Sequence, residues 1–250
     1  MNPFSLEGTT ALVTGARTGI GRAIAVGLAQ AGADLVLHGH RDDLDEVEAD
    51  VVALGRKARR WVLDLAAPEA IAPAAAELLA SVRVDVLVNN AGIIRRAPVA
   101  EHSYTSWREV LDVNLDAVFL LCRAFGVPML ARGNGKIITL ASMLSFQGGV
   151  TVPGYAAAKH GVAGLTKALA CEWAPSGVQV NAIAPGYVAT ANTAALQGDA
   201  EREPAIRARI PAGRWGTPED IAGAAVFLAS SASNYVNGHV LAVDGGWLAR

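Results

Sequence analysis

The chain has 250 residues, a formal net charge of −2 and no long basic or acidic block, which argues against nucleic acid or an anionic membrane surface as a partner. Hydrophobic residues make up 52% and charged residues 18%, a balance that suits one large α/β domain and an oligomer better than a solvent-dominated monomer. No apolar run reaches the ~18 residues of a membrane span, the first residues lack a secretory pattern, and Cys122 and Cys171 lack metal-ligand spacing, so a cytoplasmic protein without a metal is expected.

In chain order the hydrophobic pattern alternates strand and helix. Residues 10–14 read as a buried strand, the turn Thr14-Gly15-Ala16-Arg17-Thr18-Gly19-Ile20-Gly21 follows, and 21–31 has the texture of a helix. A second strand is expected at 34–37, a helix at 44–54, and a third strand at 60–63 that ends at Asp64. Next come a helix at 69–81, a strand at 84–88 and one long helix at 106–130 with Asn114 inside it. Strand 136–140, a loop carrying Ser142, the helix of Tyr155 and Lys159, and strand 178–183 continue the alternation. Repeated β-α-β units force parallel strands with right-handed crossovers. The fold class expected is therefore α/β, a single doubly wound parallel sheet of Rossmann type over residues 1–250 with helices on both faces. The irregular segment 189–214 is expected to cover the cleft as a substrate lid.

Such sheets bind ligands beyond the carboxyl ends of their strands, where the glycine turn, Asp64, Asn90, Ser142 and Pro185 all fall. Gly15, Gly19 and Gly21, with Thr18 and Ile20 between them, leave bare backbone between strand and helix, which suits the pyrophosphate of a dinucleotide. At the end of the second strand, Gly39 stands where an acid would mark NAD, while His40, Arg41 and Arg17 are placed to meet a 2′-phosphate. The choice between NAD and NADP stays open. Asp64, with Leu65, is expected either to bond the adenine amino group or to cap the next helix. Asn90, Ala91 and Gly92 let a cofactor ribose pass close, and Asn89 is expected to tie neighbouring backbones. Tyr155 and Lys159, four apart on one helix, share a face, so the ammonium is expected to favour ionisation of the phenol. Bringing a phenol of pKa ~10 near neutrality asks ~3–4 kcal/mol of nearby positive charge, which Lys159 and an oxidised nicotinamide ring together are expected to supply.

These motifs together resemble the short-chain dehydrogenase/reductase family over essentially the whole chain. The resemblance implies that Tyr155 is the general acid/base, that Lys159 lowers its pKa and holds the nicotinamide ribose, that Ser142 orients the substrate, and that Asn114 supports a proton relay. It further implies that Pro185, Gly186, Val188 and Thr190 contact the nicotinamide, and that the closing Val243-Asp244-Gly245-Gly246-Trp247 serves a homotetramer.

Within the family, the segments 142–149, 184–193, 209–216 and 245–250, with Ile94-Arg95-Arg96, are similar to the sugar-acid dehydrogenases of pectin and uronate breakdown. A sugar-acid carboxylate wants an arginine fork, so one of Arg95 and Arg96 is expected to bind substrate and the other to meet solvent or a carboxylate. Gln147, Tyr187 and Asn192 are expected to bond sugar hydroxyls, with Met143 and Leu144 as pocket wall. Trp215 and Trp247 read as core or interface, and Arg214 as a structural ion-pair partner. The alternatives are a 3-oxoacyl-thioester reductase of fatty-acid synthesis and a non-catalytic cofactor-sensing protein.

Overall fold

A computed structural model describes residues 2–250. Strand β1 (Thr10–Val13) leads through the glycine turn into α1 (Gly19–Gln30), followed by β2 (Asp34–Gly39), α2 (Asp45–Ala53), β3 (Ala58–Val62), α3 (Pro68–Leu79) and β4 (Val86–Asn89). The second half contains α4 (Tyr104–Leu111), α5 (Ala117–Arg132), β5 (Gly135–Leu140), α6 (Pro153–Trp173) and β6 (Val178–Pro185). It closes with the short helices α7 (Ala194–Gln197) and α8 (Arg202–Arg209), then α9 (Pro218–Ala229) and β7 (Val240–Val243). All seven strands run parallel in one sheet of order β3-β2-β1-β4-β5-β6-β7. The order reverses between β1 and β4, which opens a crevice at the carboxyl ends of those strands.

Alternating side chains feed two cores. Leu12, Val36, Leu87 and Ile137 point to the face covered by α3, α5 and α6, with Ile71, Phe125 and Trp173 opposite them. Val13, Leu35, Val88 and Ile138 point to the other face, against Ile24 and Leu28 of α1, Val47 of α2 and Ile221 of α9. Burial on both faces is why these strands read as continuous apolar runs.

The long helix expected at 106–130 is interrupted. Residues Asp112–Asp116 form a π-helical turn between α4 and α5, and Asn114, fully buried, sits in it. One extra residue per turn re-aims the side chains that follow, and such turns gather at functional sites. Here Asn114 Nδ2 donates to the carbonyls of Ile93 at 2.9 Å and Val110 at 2.8 Å, while Oδ1 has no partner. Two other expectations change. The residue before α3 is Ala67, so Asp64 does not cap that helix; its Oδ1 accepts from the Ala66 N–H at 2.9 Å. Asn89 faces the core, donating to Thr139 Oγ1 and Cys122 Sγ, and Asn90 makes the backbone tie instead. Side chains alternate along a strand, so only the next residue faces the glycine turn.

Candidate active site

A cavity of about 1020 Å³ opens at the carboxyl edge of the sheet, at the upper end of the ~300–1,000 Å³ usual for small-molecule sites. Every residue expected at the site lines it except Arg41.

At one end lies the glycine turn. Gly15 and Gly19 have φ of +62° and +57°, and a Cβ on Gly21 would sit 2.1 Å from the Gly15 carbonyl oxygen. Asn90 Nδ2 holds the turn through the carbonyls of Thr14 at 2.8 Å and Gly15 at 3.1 Å, and Thr14 Oγ1 accepts from the amides of Asn90 and Ala91. Thr18 makes no side-chain cap on α1, so the first-turn N–H groups beside the cavity stay available. Bare backbone, uncapped amides and the positive end of a helix fit a dinucleotide pyrophosphate.

His38 is a member of this end to which the sequence alone assigned no role. Its Nδ1 accepts from the Gly15 N–H at 3.1 Å and its Nε2 lies 2.9 Å from the Leu63 carbonyl. A carbonyl can only accept, so Nε2 carries the proton and the ring is neutral. Burial pushes its pKa down to about 4, with the Leu63 carbonyl pulling the other way. Beside it, a Cβ on Gly39 would lie 2.8 Å from the Arg41 carbonyl oxygen, which leaves no room for an acidic side chain without a backbone shift. Arg17 and His40 line this end, with Arg17 3.4 Å from Asp43, and Arg41 lies outside the lining.

In the middle stand Ser142, Tyr155, Lys159 and Asn114. Ser142 is held in extended backbone just after β5, its Oγ accepting from the Leu144 N–H at 3.1 Å. Lys159 Nζ donates to the Leu140 carbonyl at 2.5 Å and lies 5.4 Å from the centre of the Tyr155 ring. Lys159 by itself does not depress the phenol in this geometry. Burial dominates and pushes the Tyr155 pKa up, while the Ser142 hydroxyl and the Arg96 charge pull it down. Burial also lowers Lys159 to about 8, so its ammonium is itself weakly held and is directed at a carbonyl.

The far end is rich in arginine. Arg95 donates to Glu109 at 2.9 Å and is thereby occupied, whereas Arg96 has no carboxylate at ion-pair distance among the described residues. Arg202 and Arg209 of α8, neither expected from the sequence, also line the cavity without a carboxylate partner. Met143, Leu144, Gln147, Tyr187 and Asn192 complete this end. Trp247 is both core and lining: it packs with Met143, Ile206 and Ile210 and borders the cavity, with Tyr187 4.9 Å away ring to ring. Trp215 packs against Tyr187 and lies outside the lining, and Arg214 forms a two-bond ion pair with Asp220 at 2.6 and 2.9 Å.

A family model described as Enoyl-(Acyl carrier protein) reductase matches residues 15–248. Over 247 residues the chain is 57% identical to a 2-dehydro-3-deoxy-D-gluconate 5-dehydrogenase of Bacillus subtilis (strain 168), covering 99% of this chain and 97% of that protein. It is 50% identical over 252 residues to the protein of the same name from Escherichia coli (strain K12), covering 100% and 99%. The crystal structure of a gluconate 5-dehydrogenase from Burkholderia cenocepacia J2315, in complex with NADP and tartrate, is 41% identical with a TM-score of 0.96, covering 100% of this chain and 98% of that one.

Proposed function

The chain belongs to the short-chain dehydrogenase/reductase family, and we propose that it transfers a hydride between a nicotinamide cofactor and a secondary alcohol or ketone of a deoxy-keto sugar acid. This is the reaction class named for its relatives from Bacillus subtilis and Escherichia coli. The observation that carries the reading is the pairing of a buried phenol with unneutralised guanidinium groups in one cavity. Arg96, Arg202 and Arg209 line its far end without carboxylate partners, a charge pattern that calls for an anionic substrate.

When bound, the nicotinamide supplies or accepts the hydride. The pyrophosphate would rest on Gly15, Gly19 and the first turn of α1, and the adenosine end between Gly39, His40, Arg17, Asp64 and Leu65. The crowding at Gly39, with Arg17 and His40 beside it, favours a 2′-phosphate and hence NADP.

In the reducing direction Tyr155 Oη gives its proton to the substrate carbonyl oxygen, and in the oxidising direction it takes the hydroxyl proton back. Ser142 orients that oxygen, Lys159 steadies the phenolate that reduction leaves, and the free Asn114 Oδ1 offers an acceptor for a water-linked path to it. Segment 189–214, with α7 and α8, serves as the lid over the substrate.

The protein works as a cytoplasmic homotetramer in this reading. Helix α5 is apolar on both sides: Leu121 and Phe125 face inward, while Phe119 and Val127 stand 46% and 57% exposed.

The test is a steady-state assay crossing NADH and NADPH with 2,5-diketo-3-deoxygluconate and an acetoacetyl thioester. Turnover of the sugar acid, lost by roughly 10²–10⁴-fold in Tyr155→Phe, is the expected result. Turnover of the thioester alone would move the protein to lipid synthesis, and binding of cofactor without turnover of either would make it a sensor.

A further inference from the structure

Three arginines compete for the substrate carboxylate, and their settings differ. Arg96 is close enough to Tyr155 for its charge to pull the phenol's pKa down. A carboxylate docked there would cancel that charge beside the proton donor, and would bring an anion to the carbon where hydride must arrive or leave. Arg96 therefore serves the reacting group better than it serves the carboxylate.

Arg202 opens α8; no ring stacks on its side chain, and the nearby Asp199 carboxylate, held below its usual range by the amides of Arg202 and Glu201, also feels its charge. A long side chain already sharing its charge with an acid, and held by no stack, loses rotamer freedom when it binds.

Arg209 ends the same helix and is already oriented. Its guanidinium carbon lies 4.0 Å over the Trp247 ring, and that ring is 5% exposed, packed with Met143, Ile206 and Ile210. Asp244 fixes the segment that carries Trp247 by accepting from the amides of Gly246 at 2.8 Å and Leu248 at 2.9 Å. Stacking occupies a face of the guanidinium and leaves its N–H edge free for two parallel bonds to a carboxylate. No carboxylate lies at ion-pair distance among the described residues, so the edge is uncommitted.

We propose that Arg209, held flat on Trp247, is the fork that binds the substrate carboxylate, so that the lid helix reads the acid while Arg96 serves the reacting carbon. This rests on the sugar-acid reading above. It makes Arg209 a specificity residue: it separates an acid from an otherwise identical neutral molecule.

The experiment compares kcat/KM for 2,5-diketo-3-deoxygluconate and for its neutral C1 amide, in the wild type and in R209M, R209K and R96M, with thermal melts and NADPH fluorescence titration as checks on folding. A two-bond charged contact is worth enough that the acid-to-amide ratio should fall about 10- to 100-fold in R209M, through KM. R209K, which keeps the charge and loses the fork, should fall between, and it carries the same comparison if R209M fails to fold. R96M should change kcat for both substrates and leave the ratio near the wild-type value. An unchanged ratio in the Arg209 variants, or a ratio that collapses in R96M instead, overturns the proposal while the sugar-acid reading stands. A wild-type enzyme that turns over neither sugar-acid compound overturns both.

Discussion

Tyr155 and Arg96 make the proton step depend on pH in a direction that can be worked out. Burial keeps the phenol protonated at neutral pH, the form needed to donate in reduction. Oxidation needs the phenolate, so its rate should climb as pH rises through the phenol's pKa while reduction declines. Arg96→Met removes a charge that lowers this pKa, so both limbs should move to higher pH in pre-steady-state measurements of the hydride step. His38 gives a second pH effect, on stability. Its folded pKa of about 4 lies below the ordinary 6.5, so between those values the unfolded chain binds the extra proton and stability is lost as pH falls. The loss amounts to about 3 kcal/mol at full protonation. His38→Asn, whose amide accepts from Gly15 without titrating, should flatten the acid limb of a melting-temperature profile between pH 6.5 and 4. That Tyr155 and Lys159 lie side by side was legible from spacing, because they needed only a helix to meet, whereas the roles expected of them, of Ser142 and of Asn114 came from the family resemblance. The contact of Arg209 with Trp247 was not legible, since they lie 38 residues apart by number and meet only where the C-terminal segment folds back on α8.

At the level of elements, the glycine turn and α1 act as one unit. Gly21→Ala would force a methyl to within 2.1 Å of the Gly15 carbonyl and 2.4 Å of Asn90 Nδ2. Overpacking of this kind costs about 1–3 kcal/mol, so the variant should melt earlier and lose cofactor affinity in fluorescence titration. Strand and helix positions followed from hydrophobic period because burial on both sheet faces leaves a plain signal. The π turn at Asp112–Asp116 left none, since residue type does not separate a π turn from an α turn, and the bond of Asn114 to Ile93 that accompanies it joins parts distant in the pattern. Helix α9 and strand β7 were not among the expected elements, although Thr217 and Asp220 form a reciprocal cap with Pro218 at the first helical position, a pattern that marks a helix start.

For the molecule as a whole, the outward apolar residues of α5 predict assembly. Light scattering should give a mass near four times the 25.8 kDa of one chain, and Phe119→Asp should lower it. The doubly wound sheet was readable from alternation, and the irregularity of segment 189–214 was enough to expect a loop-and-helix excursion there; which residues form α7 and α8 was not readable, because short helices of this kind are set by what they pack on. The side of Gly21 where a Cβ would stand is enclosed by Gly15 and Asn90, groups of this chain. A descendant that abandoned chemistry would still be selected to keep this glycine in order to fold. The glycine motif is therefore a record of ancestry, and a survey of such chains for working enzymes should score Tyr155 and Lys159, whose side chains the fold alone does not require.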